Sequence, residues 1–187
     1  MMLSTTAIMG LAYGLSETGV SLLKRAGKDS SATDGGSLRL LWITILCSLA
    51  LALAAPAVFP QANFPRTTSV YAVGIAIYIA GLVLRWTAIV WLGKFFTVNV
   101  AIASDHRVID TGPYRFIRHP SYTGALAAFL GLAICTGNLA SLLVMMVPVT
   151  WAFMRRVRLE EAVLRQGLGA SYIEYSKRTK RLIPFVY

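Results

Sequence analysis

Five apolar segments, separated by polar loops, dominate the pattern of hydrophobic positions along the chain. They cover about residues 3–23, 38–59, 69–92, 122–135 and 139–153. None of them shows the strict alternation of a β-strand, and lipid admits only helices or closed barrels. The first three reach the roughly 20 residues that a helix needs to cross the hydrocarbon, whereas the last two are shorter. The pattern predicts an all-α, polytopic membrane protein with five transmembrane helices.

Turn residues place the boundaries of the last two segments. Thr136-Gly137-Asn138 lies between them and predicts a tight turn, so the two segments should form a short helical hairpin. Pro120 suits the first position of a helix, because its missing N–H would have no partner there and its φ is already helical. The fourth helix is therefore predicted to begin near His119 or Pro120.

The chain changes character beyond Phe153. From Arg155 to about Lys180 it is amphipathic and charged, which predicts a C-terminal cytoplasmic helical segment. Gly167 and Gly169 are expected to divide this segment into two helices, because glycine is a poor helix former.

Composition and charge agree with a membrane location. Hydrophobic residues make up 56% and charged residues 14% of the chain, where an ordinary soluble domain has about 25% charged residues. The net charge is +10. Because the basic residues lie between and after the apolar runs, the expected partner is membrane lipid with an anionic surface, and not nucleic acid. Loops rich and poor in basic residues alternate, so the positive-inside rule places the third loop and the tail in the cytoplasm and the N-terminus outside.

The sequence gives little indication of a metal site or of a disulfide. His106 and His119 are the only histidines, and neither a CxxC nor an HExxH pattern occurs, so no metal site is predicted. Cys47 and Cys135 lie inside apolar runs and are expected to be buried packing residues.

Two charged residues, Glu17 and Arg85, lie inside apolar segments. A charge within the membrane is costly and is usually paired or faces a cavity. One interpretation is an ion pair that braces the first helix against the third. The other is a polar mouth for a substrate. The cost of an unpaired charge favours the brace.

The loop at residues 106–124 carries the first candidate site. It has the sequence HRVIDTGPYRFIRHPSYTG and leads into the fourth helix. Free N–H groups at a helix start form an anion site, and Arg115 and Arg118 add positive charge beside it.

The run RVRLEE, which begins at Arg156, carries the second candidate site. Arg156 and Glu160 share one helix face at a spacing of four residues. Glu161 has Arg158 and Arg165 at helical spacing and is predicted to be structural, whereas Glu160 is predicted to be a site residue. The alternative is a solvated basic helix whose surface ion pairs carry no function.

Several motifs together resemble the isoprenylcysteine carboxyl methyltransferase family, to which phospholipid N-methyltransferases are related. They are Tyr114, the run RHPSYTG at residues 118–124, Arg156 with Glu160-Glu161, and the run GLGASYIEYSKRTKRLIPF at residues 167–185. The resemblance covers about residues 93–187. It implies a catalytic region there, in one integrated domain with the three N-terminal membrane helices of residues 1–92.

The resemblance implies a membrane methyltransferase that uses S-adenosylmethionine at the cytoplasmic face. It also implies a lipidic acceptor, such as the carboxylate of a prenylated cysteine. The residues implied to hold the cofactor are His106, Arg107, Val108, Ile109, Tyr114, His119, Pro120, Ser121, Tyr122 and Glu160. Arg156 is implied to contact the substrate carboxylate, and Arg156 and Glu160 together form the expected catalytic pair. Asn99 stands where some family members have a cofactor-contacting glutamine.

The chemistry of the residues agrees with this implication. A carboxylate with an ordinary pKa of about 3.5 is already ionised at neutral pH, so an acceptor of this kind needs no general base. The protein must instead position and desolvate it, and Arg156 can hold it through charge-assisted hydrogen bonds.

Each candidate also has a purely structural interpretation. His119 would only cap the fourth helix, Tyr114 and Tyr122 would be aromatic residues of the membrane interface, and Arg107 and Arg115 would be positive-inside charges. Tyr172 and Tyr175 are predicted to be packing residues of the tail helix.

Two other functions compete with methyl transfer. Membrane sterol reductases have a similar C-terminal region that binds NADPH, but they are longer. A non-enzymatic membrane protein is the second alternative, although the chain lacks the internal repeat of common transporters. The sequence leaves open whether the acceptor is a carboxylate, an amine or a thiol, and it does not indicate the oligomeric state.

Overall fold

The computed structural model describes residues 5–23, 36–97 and 107–184, and these ranges fold into six α-helices and short 3₁₀ turns. The helices are α1 (Thr5–Leu23), α2 (Ser37–Val58), α3 (Thr68–Leu92), α4 (Pro120–Thr136), α5 (Leu139–Leu168) and α6 (Ala170–Arg178). The predicted all-α class is confirmed for this part of the chain. The predicted cofactor residue His106 and Asn99 lie outside the described residues.

Three helices in the described ranges are long and apolar enough to cross a membrane. They are Ser37–Val58, Thr68–Phe95 and Leu139–Leu168, and Pro120–Thr136 is a shorter apolar helix. Large apolar side chains on the three long helices point outward, among them Leu46, Val83 and Val147. Lipid is the solvent that suits such an apolar exterior. The number of five spans stays a prediction.

Four glycines bring α3 and α4 into backbone contact. Gly74 on α3 faces Gly131 on α4, and Gly81 faces Gly124. The two glycines of each helix are seven residues apart, which places them on one helix face. A Cβ atom at Gly124 would lie 2.5 Å from the carbonyl oxygen of Gly81, and one at Gly131 would lie 2.4 Å from that of Gly74. Small residues allow this close approach, on which helix association in a membrane depends.

We expect Gly124→Ala to destabilise the protein by about 1–3 kcal/mol, because a methyl group there overpacks the crossing. The control is Gly19→Ala on α1, where no atom lies within 4 Å of the added Cβ. This control should be neutral or slightly stabilising, since alanine is the better helix former. Thermal unfolding in detergent measures both variants, and equal melting temperatures would contradict the packing role of Gly124.

The predicted helical hairpin and the start of the fourth helix are both confirmed. Helix α4 ends at Gly137, whose φ of 68° suits glycine. The side chain of Asn138 accepts a hydrogen bond from the Ser141 N–H at 2.9 Å and so caps α5. Its amide also donates to the Phe59 carbonyl at 2.9 Å, which ties the hairpin to the end of α2. Pro120 is the first residue of α4, after His119.

The C-terminal segment differs from the prediction in one respect. The fifth apolar segment and the charged run beyond Phe153 form one continuous helix, α5, of 30 residues. Gly167 lies inside this helix, and only Gly169 ends it, with a φ of 55°. The change from apolar to charged residues marks where the surroundings of the helix change, which does not require the backbone to break.

The two cysteines differ in burial. Cys135 is buried as predicted, but the prediction for Cys47 is wrong, since Cys47 is exposed on the outer face of α2. An apolar run contains both inward and lipid-facing positions, and the run by itself does not separate them.

The ion pair between Glu17 and Arg85 is confirmed. Both side chains are buried, and Arg85 Nη2 donates to Glu17 Oε2 at 2.5 Å while Nε donates to Oε1. Arg85 Nη1 also donates to the Ser121 hydroxyl at 2.9 Å. The pair therefore joins α1, α3 and the first turn of α4, where the candidate site begins.

Candidate active site

A cleft of about 850 Å³, partly open to solvent, lies where the start of α4, the C-terminal part of α5 and α6 meet. The structure brings nearly all of the predicted site residues to this cleft. Those that line it are Arg107, Val108, Ile109, Tyr114, His119, Ser121, Tyr122, Arg156 and Glu160. Pro120 is buried in the first turn of α4 and is not among the lining residues.

Arg156, Tyr122 and Glu160 form a chain of hydrogen bonds in the wall of the cleft. The Tyr122 hydroxyl donates to Glu160 Oε2 at 2.7 Å and accepts from Arg156 Nε at 3.1 Å. Arg156 Nη1 donates to the Ser37 hydroxyl at 3.1 Å, which connects the chain to the first turn of α2. Arg156 is buried, whereas the side chain of Glu160 remains 29% exposed. The hydroxyl of Tyr122 thus lies between the buried guanidinium of Arg156 and the accessible carboxylate of Glu160.

The ring of His119 stacks on that of Tyr122, with a centroid distance of 5.5 Å and an interplanar angle of 6°. His119 Nδ1 lies 3.8 Å from Glu160 Oε2, and Nε2 lies 3.6 Å from Glu161 Oε1. The residue occupies the N-cap position of α4, but its side chain makes no capping hydrogen bond. The interpretation of His119 as a helix cap alone is therefore wrong.

The start of α4 offers fewer free N–H groups than the sequence predicts for an anion site. The N–H groups of Tyr122 and Thr123 both donate to the His119 carbonyl, at 3.0 and 3.1 Å, and Pro120 has no N–H. Arg118, which was expected to add positive charge there, is engaged by Glu161 at 2.8 Å. A bound anion would depend mainly on other groups.

Glu161 is buried at the centre of an ionic network. Besides Arg118, it contacts Arg181 Nη2 at 3.0 Å and lies 3.7 Å from Arg165 Nη2. The prediction that Glu161 is structural agrees with these contacts, but Arg158 is exposed on the helix and is not the partner. The main partners come from the loop before α4 and from the C-terminal tail, which helical spacing does not indicate.

The C-terminal tail holds the loop that carries His119. The Arg118 N–H donates to the Lys180 carbonyl at 2.8 Å, and the His119 N–H donates to the Arg181 carbonyl at 3.0 Å. The Thr123 hydroxyl donates to the Leu182 carbonyl at 2.7 Å. The tail is therefore part of the site's framework.

Tyrosines from the 3₁₀ turn before α4 and from α6 complete the cleft. Tyr114, in the 3₁₀ turn Gly112–Arg115, is buried and donates to the Ala88 carbonyl at 3.3 Å, so its hydroxyl is held by α3. Burial raises the pKa of its hydroxyl above the ordinary value. Tyr172 and Tyr175 pack against each other as predicted, and they also line the cleft. The sequence indicates that the two tyrosines lie together, because a spacing of three residues places both on one face of the amphipathic helix α6.

A second cavity, of about 460 Å³, lies on the other side of Tyr122 and Arg156. Its lining is mostly apolar, with Tyr13, Val20, Leu38, Leu41, Trp42, Ile45 and Phe153. Glu17 and Arg85 also line it, so the ion pair braces the helices and at the same time faces a cavity. Phe96, Thr97, Tyr122 and Arg156 line both cavities.

The fold and the matched region define the class of protein. The family model described as phospholipid methyltransferase matches residues 69–171, more than half of the chain. The chain therefore belongs to this family of helical membrane proteins. The matched region includes α3 as well as the part beyond residue 93, in keeping with the close packing of α3 on α4.

The relatives confirm the resemblance to isoprenylcysteine carboxyl methyltransferases. Protein-S-isoprenylcysteine O-methyltransferase B of Arabidopsis thaliana is 36% identical over 115 residues, which are 60% of this chain and 58% of that protein. The enzyme of the same name from Schizosaccharomyces pombe is 35% identical over 108 residues, 57% of this chain and 46% of that protein.

The solved structure of the eukaryotic intramembrane Ras methyltransferase, an isoprenylcysteine carboxyl methyltransferase, superposes with a TM-score of 0.65 at 28% identity. The match covers 77% of this chain and 52% of that one. The chain thus spans roughly half to three-fifths of the length of these relatives.

Proposed function

We propose that the protein transfers a methyl group from S-adenosylmethionine to a lipidic carboxylate acceptor, of which a prenylated cysteine is the model. The observation that supports this most is the meeting of two cavities at Tyr122 and Arg156. The cleft carries the charged side chains of Arg107 and Glu160, and the second cavity lies against α1 and α2 with a mostly apolar lining. A water-soluble donor and a lipid acceptor would meet where the two cavities join.

The open cleft suits the methyl donor. Glu160 presents a partly exposed carboxylate that offsets a sulfonium charge, and Val163, Leu164 and Leu168 offer an apolar surface for a purine ring. The proposed cofactor residues are His106, Arg107, Val108, Ile109, Tyr114, His119, Pro120, Ser121, Tyr122 and Glu160. His106 and Pro120 are proposed on sequence alone.

The second cavity suits the lipid part of the acceptor. Its apolar walls stabilise an aliphatic chain by burying it away from water. Arg156 lies at its junction with the cleft and is buried, so its guanidinium is a strong partner for a carboxylate. The acceptor enters between the helices from the bilayer. The cleft faces the cytoplasm, because the loops and the tail around it carry most of the basic residues.

The roles of the residues follow from the charges of the reaction. S-adenosylmethionine, when bound, supplies a methyl group on a sulfonium and leaves as the neutral thioether. Arg156 orients the acceptor carboxylate, and Glu160 stabilises the donor's positive charge. An ionised carboxylate carries no proton to remove, so no residue acts as a general base. The Tyr122 hydroxyl links the two side chains, since it accepts from Arg156 and donates to Glu160.

Binding measurements on the detergent-purified protein test this function. We expect S-adenosylmethionine and its demethylated product to bind in calorimetry, and Glu160→Gln to weaken this binding roughly tenfold to a hundredfold, since hydrogen bonds to charged groups contribute about 1.5–3 kcal/mol. Glu174→Gln, at an exposed position, is the control and should bind as the wild type does.

The same measurement separates the alternatives. Binding of NADPH without binding of S-adenosylmethionine would replace the proposal by a reductase of the sterol reductase type. A folded protein that binds neither compound would be a non-enzymatic membrane protein.

A further inference from the structure

Two buried polar atoms at the cleft have no hydrogen-bond partner in the described part of the chain. They are the hydroxyl of Tyr172 and Nε2 of His119. Tyr172 is only 3% exposed and His119 only 4%. Both residues line the cleft. A buried polar group without a partner costs free energy, because it has lost its hydration without replacement. A ligand in the cleft would supply the missing partner.

The other tyrosines of the cleft differ from Tyr172. Tyr175, one helical turn further along α6, donates to the Tyr114 carbonyl at 2.7 Å. Tyr122 donates to Glu160, and Tyr114 donates to the Ala88 carbonyl. Among the described tyrosines of the cleft, Tyr172 is thus the one whose hydroxyl has no protein partner.

The position of Tyr172 is fixed even though its hydroxyl is unsatisfied. Its ring contacts that of Tyr175 at a centroid distance of 6.0 Å with an interplanar angle of 60°. Burial, reinforced by the nearby carboxylates of Glu161 and Glu160, raises the pKa of the Tyr172 hydroxyl above its ordinary value. The hydroxyl therefore keeps its proton at neutral pH and serves as a donor that requires an acceptor on the ligand.

His119 Nε2 supplies a second polar contact for the same ligand. It lies 3.6 Å from Glu161 Oε1, which is longer than a hydrogen bond. The Glu160 carboxylate is 3.8 Å from the other nitrogen of the ring. A ligand group that bears both donors and acceptors, such as the hydroxyls of a ribose, matches this mixture of a phenol, an imidazole and a carboxylate.

We propose that Tyr172 donates a hydrogen bond to the adenosyl part of the methyl donor, with His119 Nε2 as a second contact. This inference rests on the proposed function. The adenosyl part is favoured because Tyr172 shares the cleft with the apolar side chains of Val163, Leu164 and Leu168, which suit a purine. The ribose hydroxyls and the purine nitrogens of the adenosyl part are acceptors for the phenol. Tyr172 is thus a binding residue in addition to a packing residue.

The variant Tyr172→Phe tests the inference with S-adenosylhomocysteine and methylthioadenosine, which lacks the amino-acid part. We expect about a tenfold weaker affinity for both compounds. The melting temperature of the unliganded protein should stay the same or rise, since the lost hydroxyl has no protein partner. Tyr175→Phe is the matched control, and it should lower the melting temperature because its hydroxyl holds the Tyr114 carbonyl.

The outcomes of this experiment distinguish a failure of the Tyr172 contact from a failure of the proposed methyltransferase function. If the wild type bound S-adenosylhomocysteine and Tyr172→Phe bound it equally well, the proposed contact would be wrong while the function stood. A loss for S-adenosylhomocysteine but not for methylthioadenosine would overturn the assignment to the adenosyl part. If the folded wild type bound neither compound, the proposed function and the contact would fail together.

Discussion

Glu161→Gln is expected to lower the stability of the protein by about 3–5 kcal/mol, the usual cost of removing one partner from a buried ion pair. The carboxylate of Glu161 is 3% exposed and faces Arg118 and Arg181, of which the Arg118 side chain is 9% exposed. Without the negative charge, the Arg118 guanidinium would be left buried and poorly compensated. Thermal or denaturant unfolding in detergent measures the effect.

The control for this prediction is Glu174→Gln. Glu174 also contacts a basic residue, Lys177, at 2.6 Å, but both side chains are mostly exposed. Exposed pairs contribute little to stability, so this variant should unfold like the wild type. Equal stability of the Glu161 and Glu174 variants would show that the network does not hold the tail to the core. The sequence predicts a structural role for Glu161. Because Glu161 contacts Arg118 and Arg181, we expect its substitution to affect stability more than cofactor binding.

Arg156→Ala is expected to lower kcat/KM for a lipidic carboxylate acceptor roughly a hundredfold to a thousandfold, since truncating a buried, hydrogen-bonded charge costs about 2–5 kcal/mol or more. In the proposed site its guanidinium positions the acceptor at the junction of the two cavities. Donor binding should be weakened far less. Initial rates at varied acceptor and donor concentrations separate the two effects.

Two further variants sharpen the test of Arg156. Arg155→Ala removes an exposed arginine next to it in the chain and should leave the kinetics unchanged. Arg156→Lys keeps the charge but loses the planar guanidinium whose Nε and Nη1 donate to Tyr122 and Ser37 from two fixed positions, so it should restore only part of the activity. An Arg156→Ala variant with wild-type acceptor kinetics would argue for an acceptor that is not a carboxylate.

Local patterns account for the elements that were predicted correctly. The tight turn at residues 136–138 follows from glycine's access to positive φ and from the capping side chain of asparagine. The start of α4 follows from the restricted backbone of Pro120. The structural role of Glu161 follows in part from Arg165 at helical spacing, although its strongest partners are Arg118 and Arg181.

Contacts between distant parts of the chain account for what the sequence did not indicate. The tail beyond α6 pairs with the loop before α4, and Glu161 meets Arg118 and Arg181 from these two segments. The glycine contacts of α3 and α4 join residues far apart in the chain, such as Gly74 and Gly131. The seven-residue spacing of the glycines within each helix does not show which helix lies opposite, and the contacts of the tail leave no periodic signal in the sequence.

The sequence by itself determined the helical class, the hairpin, the residue that begins α4 and the membership of Arg156 and Glu160 in one helix face, because each depends on neighbours within a few turns. Only the tertiary structure decided that Tyr122 stands between Arg156 and Glu160, that two cavities meet there, and that the Tyr172 hydroxyl is left without a partner. These features depend on how helices pack against one another, and a side chain's unmet hydrogen bonds are known only when every neighbouring helix is in place.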